Sequence, residues 1–532
     1  MGAALGCGSA THDASTHHDA GTSATDSGAA DHASQHDAVA MTKDGGREDA
    51  GADAGMDAGP PPTPEGTTLQ TGAHMVIQGV TDDGYIVYTS ATSVNAVAET
   101  GGTPVVIAEL GDAGPGTGYA MVVHDVVFVW TNLGSSSSGP LTVWSHGLGI
   151  PQPVSTASLA GVASASQDSS TVVYTSDVTV SGATASLVGA TMATLSAPAT
   201  LAASIDAATQ VCAPNVSFSG ATAPVYAVAE LCPVSDAGTA GPSTVYSYLT
   251  PTWSAKTLAT AATAYSVDAT GTNAAITLGS GQLEIAPLSG AAVIPIDGAA
   301  TLFSTSTVYL SQTDAFVLYD TSAGALKAST VTASSPQTLV ASNVNAIDGV
   351  ASSEKWALVN HGTDMTTMLP SDLSLASTTT PGTPTLLTTG TTVAGVLGDA
   401  FTADPASSYA IFMTGISLDA NYNAVGALKA VATATPGTIL SLATAAVNST
   451  SFSPSDLALT GTKISFTDNF NPNRGATGSV DLHVVDLATS TPSTLVMKGA
   501  DPLYAVTFDK SYLVYTIAFG GSTDGLYAVA VP

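Results

Sequence analysis

Asp83-Gly-Tyr-Ile-Val-Tyr-Thr-Ser90 is the stretch whose reading decides the fold. A short apolar run sits between a turn signal, Asp83-Gly84, and a polar stop at Ser90. Such a run is too short for a helix and reads as a strand buried on both faces. Working outward, the same kind of segment recurs nine more times. The copies are Asp125–Thr131, Ser170–Ser176, Ala223–Ala229, Asn273–Leu278, Asp314–Tyr319, Lys355–Val359, Ser408–Met413, Thr462–Phe466 and Lys510–Thr516. Successive copies lie about 41 to 54 residues apart, the span of one four-stranded unit.

Most copies are followed by a polar turn and a second apolar segment, such as Leu141–Trp144, Leu283–Ile285, Leu428–Val431 and Leu526–Val529. A more polar segment comes next, as at Pro104–Ile107, Pro336–Leu339 and Ser493–Val496. A single four-stranded sheet cannot bury both of its faces. Stacked neighbours can, so the inner strands read apolar and the outer ones Thr-rich. The expected fold is all-β: a β-propeller of about ten four-stranded blades, with seven to eight blades or two smaller propellers as alternatives. The last unit ends at Pro532 without an outer strand, and Thr67–Gly72 resembles an orphan outer strand. Pairing of the two would close the ring and remove an exposed sheet edge.

The units resemble the TolB-type and WD40-like propeller repeats of bacterial envelope proteins. Thr81-Asp-Asp-Gly-Tyr-Ile-Val-Tyr-Thr-Ser90 and Val480-Asp-Leu-His-Val-Val-Asp-Leu487 carry the resemblance best. Most other units lack the Asp-Gly turn. The resemblance implies an envelope protein that uses a propeller face for interaction.

Composition divides the chain in two: residues 1–66 and the repeat domain 67–532. The first part is almost wholly Ala, Asp, Gly, His, Ser and Thr, and ends in Gly59-Pro-Pro-Pro-Thr-Pro64. With so few large apolar residues it cannot offset its chain entropy, and it is expected to be a disordered spacer. Its start, Ala4-Leu5-Gly6-Cys7, resembles the end of a bacterial lipoprotein signal, which makes Cys7 the candidate lipidation site. A flexible spacer of about 59 residues would reach roughly 40 Å.

The whole chain has 10 Lys and Arg against 41 Asp and Glu, a net charge of −31. Phosphate neutralisation needs clustered bases, so a nucleic-acid partner is not expected. A membrane is expected only through a lipid anchor. Besides Cys7 the cysteines are Cys212 and Cys232. They flank a hairpin centred near Thr222, which would set them opposite each other, within disulfide reach. A bridge there fits an oxidising compartment, hence the cell envelope or secretion.

No nucleophile elbow and no His-Glu-x-x-His motif occurs. His74, His124, His146, His361 and His483 fall in different units. Asp83, Asp125 and Asp314 stand at strand starts, where they could line one mouth of the ring or bind turn amides. Asp419–Asn423 and Asn469–Asn473 resemble the opening of a calcium loop but lack its Gly and its final acid, which favours Asn-rich turns. The spacer histidines His12, His17, His18, His32 and His36 have no fixed spacing. No catalytic residue, metal or cofactor is therefore expected. The expected function is a non-enzymatic envelope protein holding an unidentified protein or glycan at a propeller face. A carbohydrate-active or peptidase-like hydrolase is the alternative.

Overall fold

The computed structural model describes residues 62–532 apart from 73–74, 111–117, 134–136, 180–183, 207–213, 233, 235–241, 299, 301–307, 362–371, 390–399, 402–407, 419–423, 449–458, 460, 472–477, 490–492, 502–503 and 508. The described strands form nine antiparallel sheets, eight of four strands and one of seven. Together they make a β-propeller. All ten recurrent segments are strands, from Tyr85–Thr89 to Tyr512–Ile517. The count of sheets is nine rather than about ten because Tyr409–Leu418 and Lys463–Asn471 share the seven-stranded sheet. The two parts of that sheet meet at a single pair, Ala446↔Asp468.

Apolar side chains form a succession of clusters, each joining one unit to the next. Val87 and Val94 pack with Val127 and Trp144; Val173 and Leu187 pack with Ala227 and Tyr248. The succession returns to its start, where Val514 and Leu526 pack with Ile86 and Tyr88. It therefore describes one ring and not two. Recurrent strands such as Val126–Trp130 are buried throughout, since each is covered from both sides.

Thr67–Thr71 pairs antiparallel with Gly525–Ala530, from Thr67↔Ala528 to Thr71↔Gly525. The orphan strand thus supplies the missing outer strand of the last unit, as its sequence predicts. Gly66 enters this strand at φ +83°, and a Cβ there would stand 2.2 Å from the carbonyl oxygen of Ala528. Only glycine fits so close a backbone approach.

The hairpin expected near Thr222 is present. Asn215–Ser219 pairs with Tyr226–Leu231 in the register Ser219↔Tyr226 to Asn215↔Glu230. Six residues separate the strands, which centres the hairpin between Thr222 and Ala223. Cys232 is buried beyond the strand end, and its carbonyl accepts the Asp206 N–H at 2.8 Å. Cys212 and Cys7 lie outside the described residues.

Candidate functional site

In the units whose turns are described, the turn joining the first strand to the recurrent strand lies at the same end of the recurrent strand, on one face of the ring. A buried hydroxyl or carboxylate closes most of these turns. Thr81 Oγ1 accepts from Tyr85 N, Ser166 Oγ from Thr171 N and Thr507 Oγ1 from Tyr512 N, at 2.9–3.0 Å. Asp268 does the same with a carboxylate, accepting four amides from Thr270 to Asn273 at 2.8–3.1 Å. A left-handed residue lies within many of these turns: Gly84 and Gly271, but also His124, Ser169, Asp314, Glu354 and Lys510. The conformation has been kept where the glycine has not. That explains why the Asp-Gly signal fades from unit to unit. The signal that could have found these turns is the buried Ser, Thr or Asp at the close of each first strand.

The strand-start acids largely hold this face together. Asp83 accepts from Thr81 Oγ1. Asn273 donates to both oxygens of Asp314 at 2.9 Å across a unit boundary. Burial raises the Asp314 pKa; the Asn273 amide lowers it, and nearby Asp268 raises it again. Glu354 accepts from Tyr309, Ser311, Gln312 and Thr313 of the preceding unit at 2.6–3.0 Å. Asp125 is also raised, by burial and then by Asp83, while its backbone N–H donates to Ser169 Oγ at 3.0 Å.

The histidines do not converge. His124 Nδ1 meets Asp82 Oδ2 at 2.9 Å. His146 stacks on Tyr85 with ring centroids 4.5 Å apart. His361 sits in the strand Trp356–His361. His483 lies mid-strand, stacked on Phe466 at 5.1 Å, with Nε2 3.0 Å from Asp468 Oδ1 and Nδ1 3.5 Å from Ser493 Oγ. Asn469 donates to Asp481 at 3.1 Å. His74, Asp419–Asn423, Asn473 and the spacer histidines lie outside the described residues. Among the described residues no three His, Cys, Asp or Glu gather with metal-binding geometry.

The sequence reading placed Trp356 only as part of a recurrent strand. In the fold it opens into a groove of about 540 Å³ between the strand Gln337–Val340 and the loop after Asp372–Ser377. Trp356 is half-buried against Leu358, Leu373, Leu375, Leu387 and Phe412. Lys355 and the hydroxyl side chains Ser377, Thr379, Thr380, Thr383 and Thr385 line the rest, with Pro381 and Pro384. The wall is pinned by its own backbone. Gly382 N donates to Leu339 O and Thr378 N to Lys355 O, each at 3.1 Å. Ser377 Oγ accepts from Thr379 N and Thr380 N. Trp356 pairs with Ser377 at the strand end beside Glu354, so the groove opens on the turn face.

No family model matches the chain, and neither does any curated protein. Among solved structures, the chain is similar to the computationally designed Ika8 protein, with 13% identity over 70% of this chain and 98% of that one, at a TM-score of 0.33. It is similar to dihydro-heme d1 dehydrogenase NirN, with 14% identity over 73% and 76%, at a TM-score of 0.38. It is also similar to a prolyl endopeptidase, with 11% identity over 78% and 53%, at a TM-score of 0.35.

Proposed function

We propose that this chain is a non-enzymatic binding protein of the cell envelope, related to TolB-type propellers, that holds its ligand on the turn face. The observation carrying this reading is the groove at Trp356. It is an open groove of about 540 Å³ lined by one tryptophan, short apolar side chains and several hydroxyls. The test is co-sedimentation of the purified full chain with isolated envelope fractions. Trp356→Ala is expected to lower binding at least tenfold. Equal binding by both proteins, or none by either, would overturn the reading.

Localisation belongs to the same proposal. Lipidation of Cys7 would tether the ring through the Pro-rich spacer, and a Cys212–Cys232 bridge would suit an oxidising compartment. The native protein is expected to partition into detergent, with Cys7→Ala releasing it. Thiol titration is expected to find Cys212 and Cys232 protected until reduction. Two reactive thiols would refute the bridge.

A hydrolase is the second reading, and one observation favours it. Asp468, His483 and Ser493 form a chain in which a carboxylate orients an imidazole toward a hydroxyl. Such a hydroxyl should be labelled by a fluorophosphonate, and His483→Gln should abolish the label. An unlabelled Ser493 removes this reading.

A further inference from the structure

We infer that the Trp356 groove takes a neutral oligosaccharide; this rests on the binding-platform reading and names the ligand class of its site. Three features of the lining converge on that class. First, Trp356 packs on a cluster of buried leucines and Phe412 and, only half-buried, lines the groove. A rigid indole offers a flat apolar surface, and little rotamer freedom is lost when a ligand covers it. A pyranose ring has one face of C–H groups that matches such a surface.

Second, the polar lining is almost all hydroxyl. The hydroxyls of Thr380, Thr383 and Thr385 can both donate and accept, while Ser377 Oγ already accepts from the amides of Thr379 and Thr380. A ligand carrying hydroxyls can use both roles. Each proline of a Pro-rich peptide offers an acceptor but no N–H, so such a peptide would use fewer of the accepting lone pairs of this wall.

Third, the charge is right. The chain carries a net charge of −31, yet none of the residues lining the groove is Asp or Glu. The one charged lining residue is Lys355, which is exposed. A polyanion would be repelled on approach by the molecule as a whole, and a polycation would find no partner in the groove. A neutral polymer meets neither obstacle.

The turn Thr378–Pro384 is already tied to Leu339, Glu354 and Lys355 by hydrogen bonds. Little ordering is therefore left for binding to supply.

The test uses the full chain against an array of uncharged gluco-, manno-, galacto- and N-acetylhexosamine oligomers, with a Pro-rich peptide alongside. Binding is read by tryptophan fluorescence and calorimetry. At least one saccharide is expected to bind. Trp356→Phe should keep the affinity within about threefold, and Trp356→Ala should lower it at least tenfold with a cooperative melting transition retained. Thr383→Val, which leaves the packing behind Trp356 untouched, should lower it severalfold. Should Trp356→Ala fail to fold, Trp356→Phe and Thr383→Val still decide the matter. Peptide binding that depends on Trp356, with no saccharide bound, would overturn the ligand class and leave the platform standing. Saccharide binding indifferent to both Trp356 and Thr383, or no binding of any probe, would overturn both.

Discussion

Leu69→Ala should destabilise the whole ring, because Leu69 sits on the strand that closes it. Leu69 is 5% exposed and packs with Met75, Ile86, Tyr88 and Val97 of the first unit and with Val514, Leu526 and Ala528 of the last. Neighbours drawn from two units cannot collapse into the gap from one side. The expected cost is about 3 kcal/mol, within the range of about 2–5 for buried Leu→Ala changes. Leu386, on the outer strand Thr385–Thr388, is 48% exposed, and Leu386→Ala should cost only about 0.5 kcal/mol. Equilibrium unfolding in urea measures both, as a shift of midpoint at constant slope. A shortened chain beginning at Gly72 extends the argument. It loses the Thr67–Thr71 ladder and the two hydrogen bonds between the Tyr515 hydroxyl and Glu65, at 2.6 and 2.9 Å. Each lost bond adds about 0.5–1.5 kcal/mol. A chain beginning at Pro62 keeps all of them and should match the full protein. If Leu69→Ala and Leu386→Ala shift the midpoint equally, the strand does not close the ring and the reasoning fails.

Three further outcomes are expected. A Cβ on Gly189 would stand 2.6–2.7 Å from three ring atoms of Trp253 in the next unit, so Gly189→Ala should cost about 1–3 kcal/mol in the same assay; an unchanged midpoint would show that the ring can move aside. Ala261 is exposed at φ +57°, and Ala261→Gly should stabilise by about 0.5–1 kcal/mol, because relief of left-handed strain outweighs the added chain entropy; a loss of stability would contradict this. The raised Asp314 pKa means that the folded state takes up a proton before the unfolded chain does, so its penalty is present at neutral pH and is relieved as pH falls toward the ordinary carboxylate value. Asp314→Asn should therefore raise the melting temperature at pH 7 and converge on the wild type near pH 4, while parallel profiles would refute the assignment.

Periodicity made the propeller legible because a strand covered on both faces must be apolar along its whole length, wherever its partners lie in the chain. The closing strand was legible for a related reason: Thr67–Gly72 has the outer-strand pattern and no unit of its own, and a sheet edge needs a partner. The count was less so. The ten recurrent segments occupy nine sheets because Ala446 pairs with Asp468, and no local pattern announces one backbone pair between two units. The hairpin between the cysteines was legible too: its strands meet between Thr222 and Ala223, beside the Thr222 read from the apolar pattern.

Sequence alone determined the class of fold and its circular closure, because each follows from how many apolar side chains a short segment must hide. Tertiary structure alone decided the groove. Its lining comes from Leu339, Lys355, Trp356, Ser377 and Thr380–Thr385, in two units and three separate stretches of chain. No spacing rule links these residues. They meet only because neighbouring sheets twist against each other and leave a gap that a tryptophan partly fills.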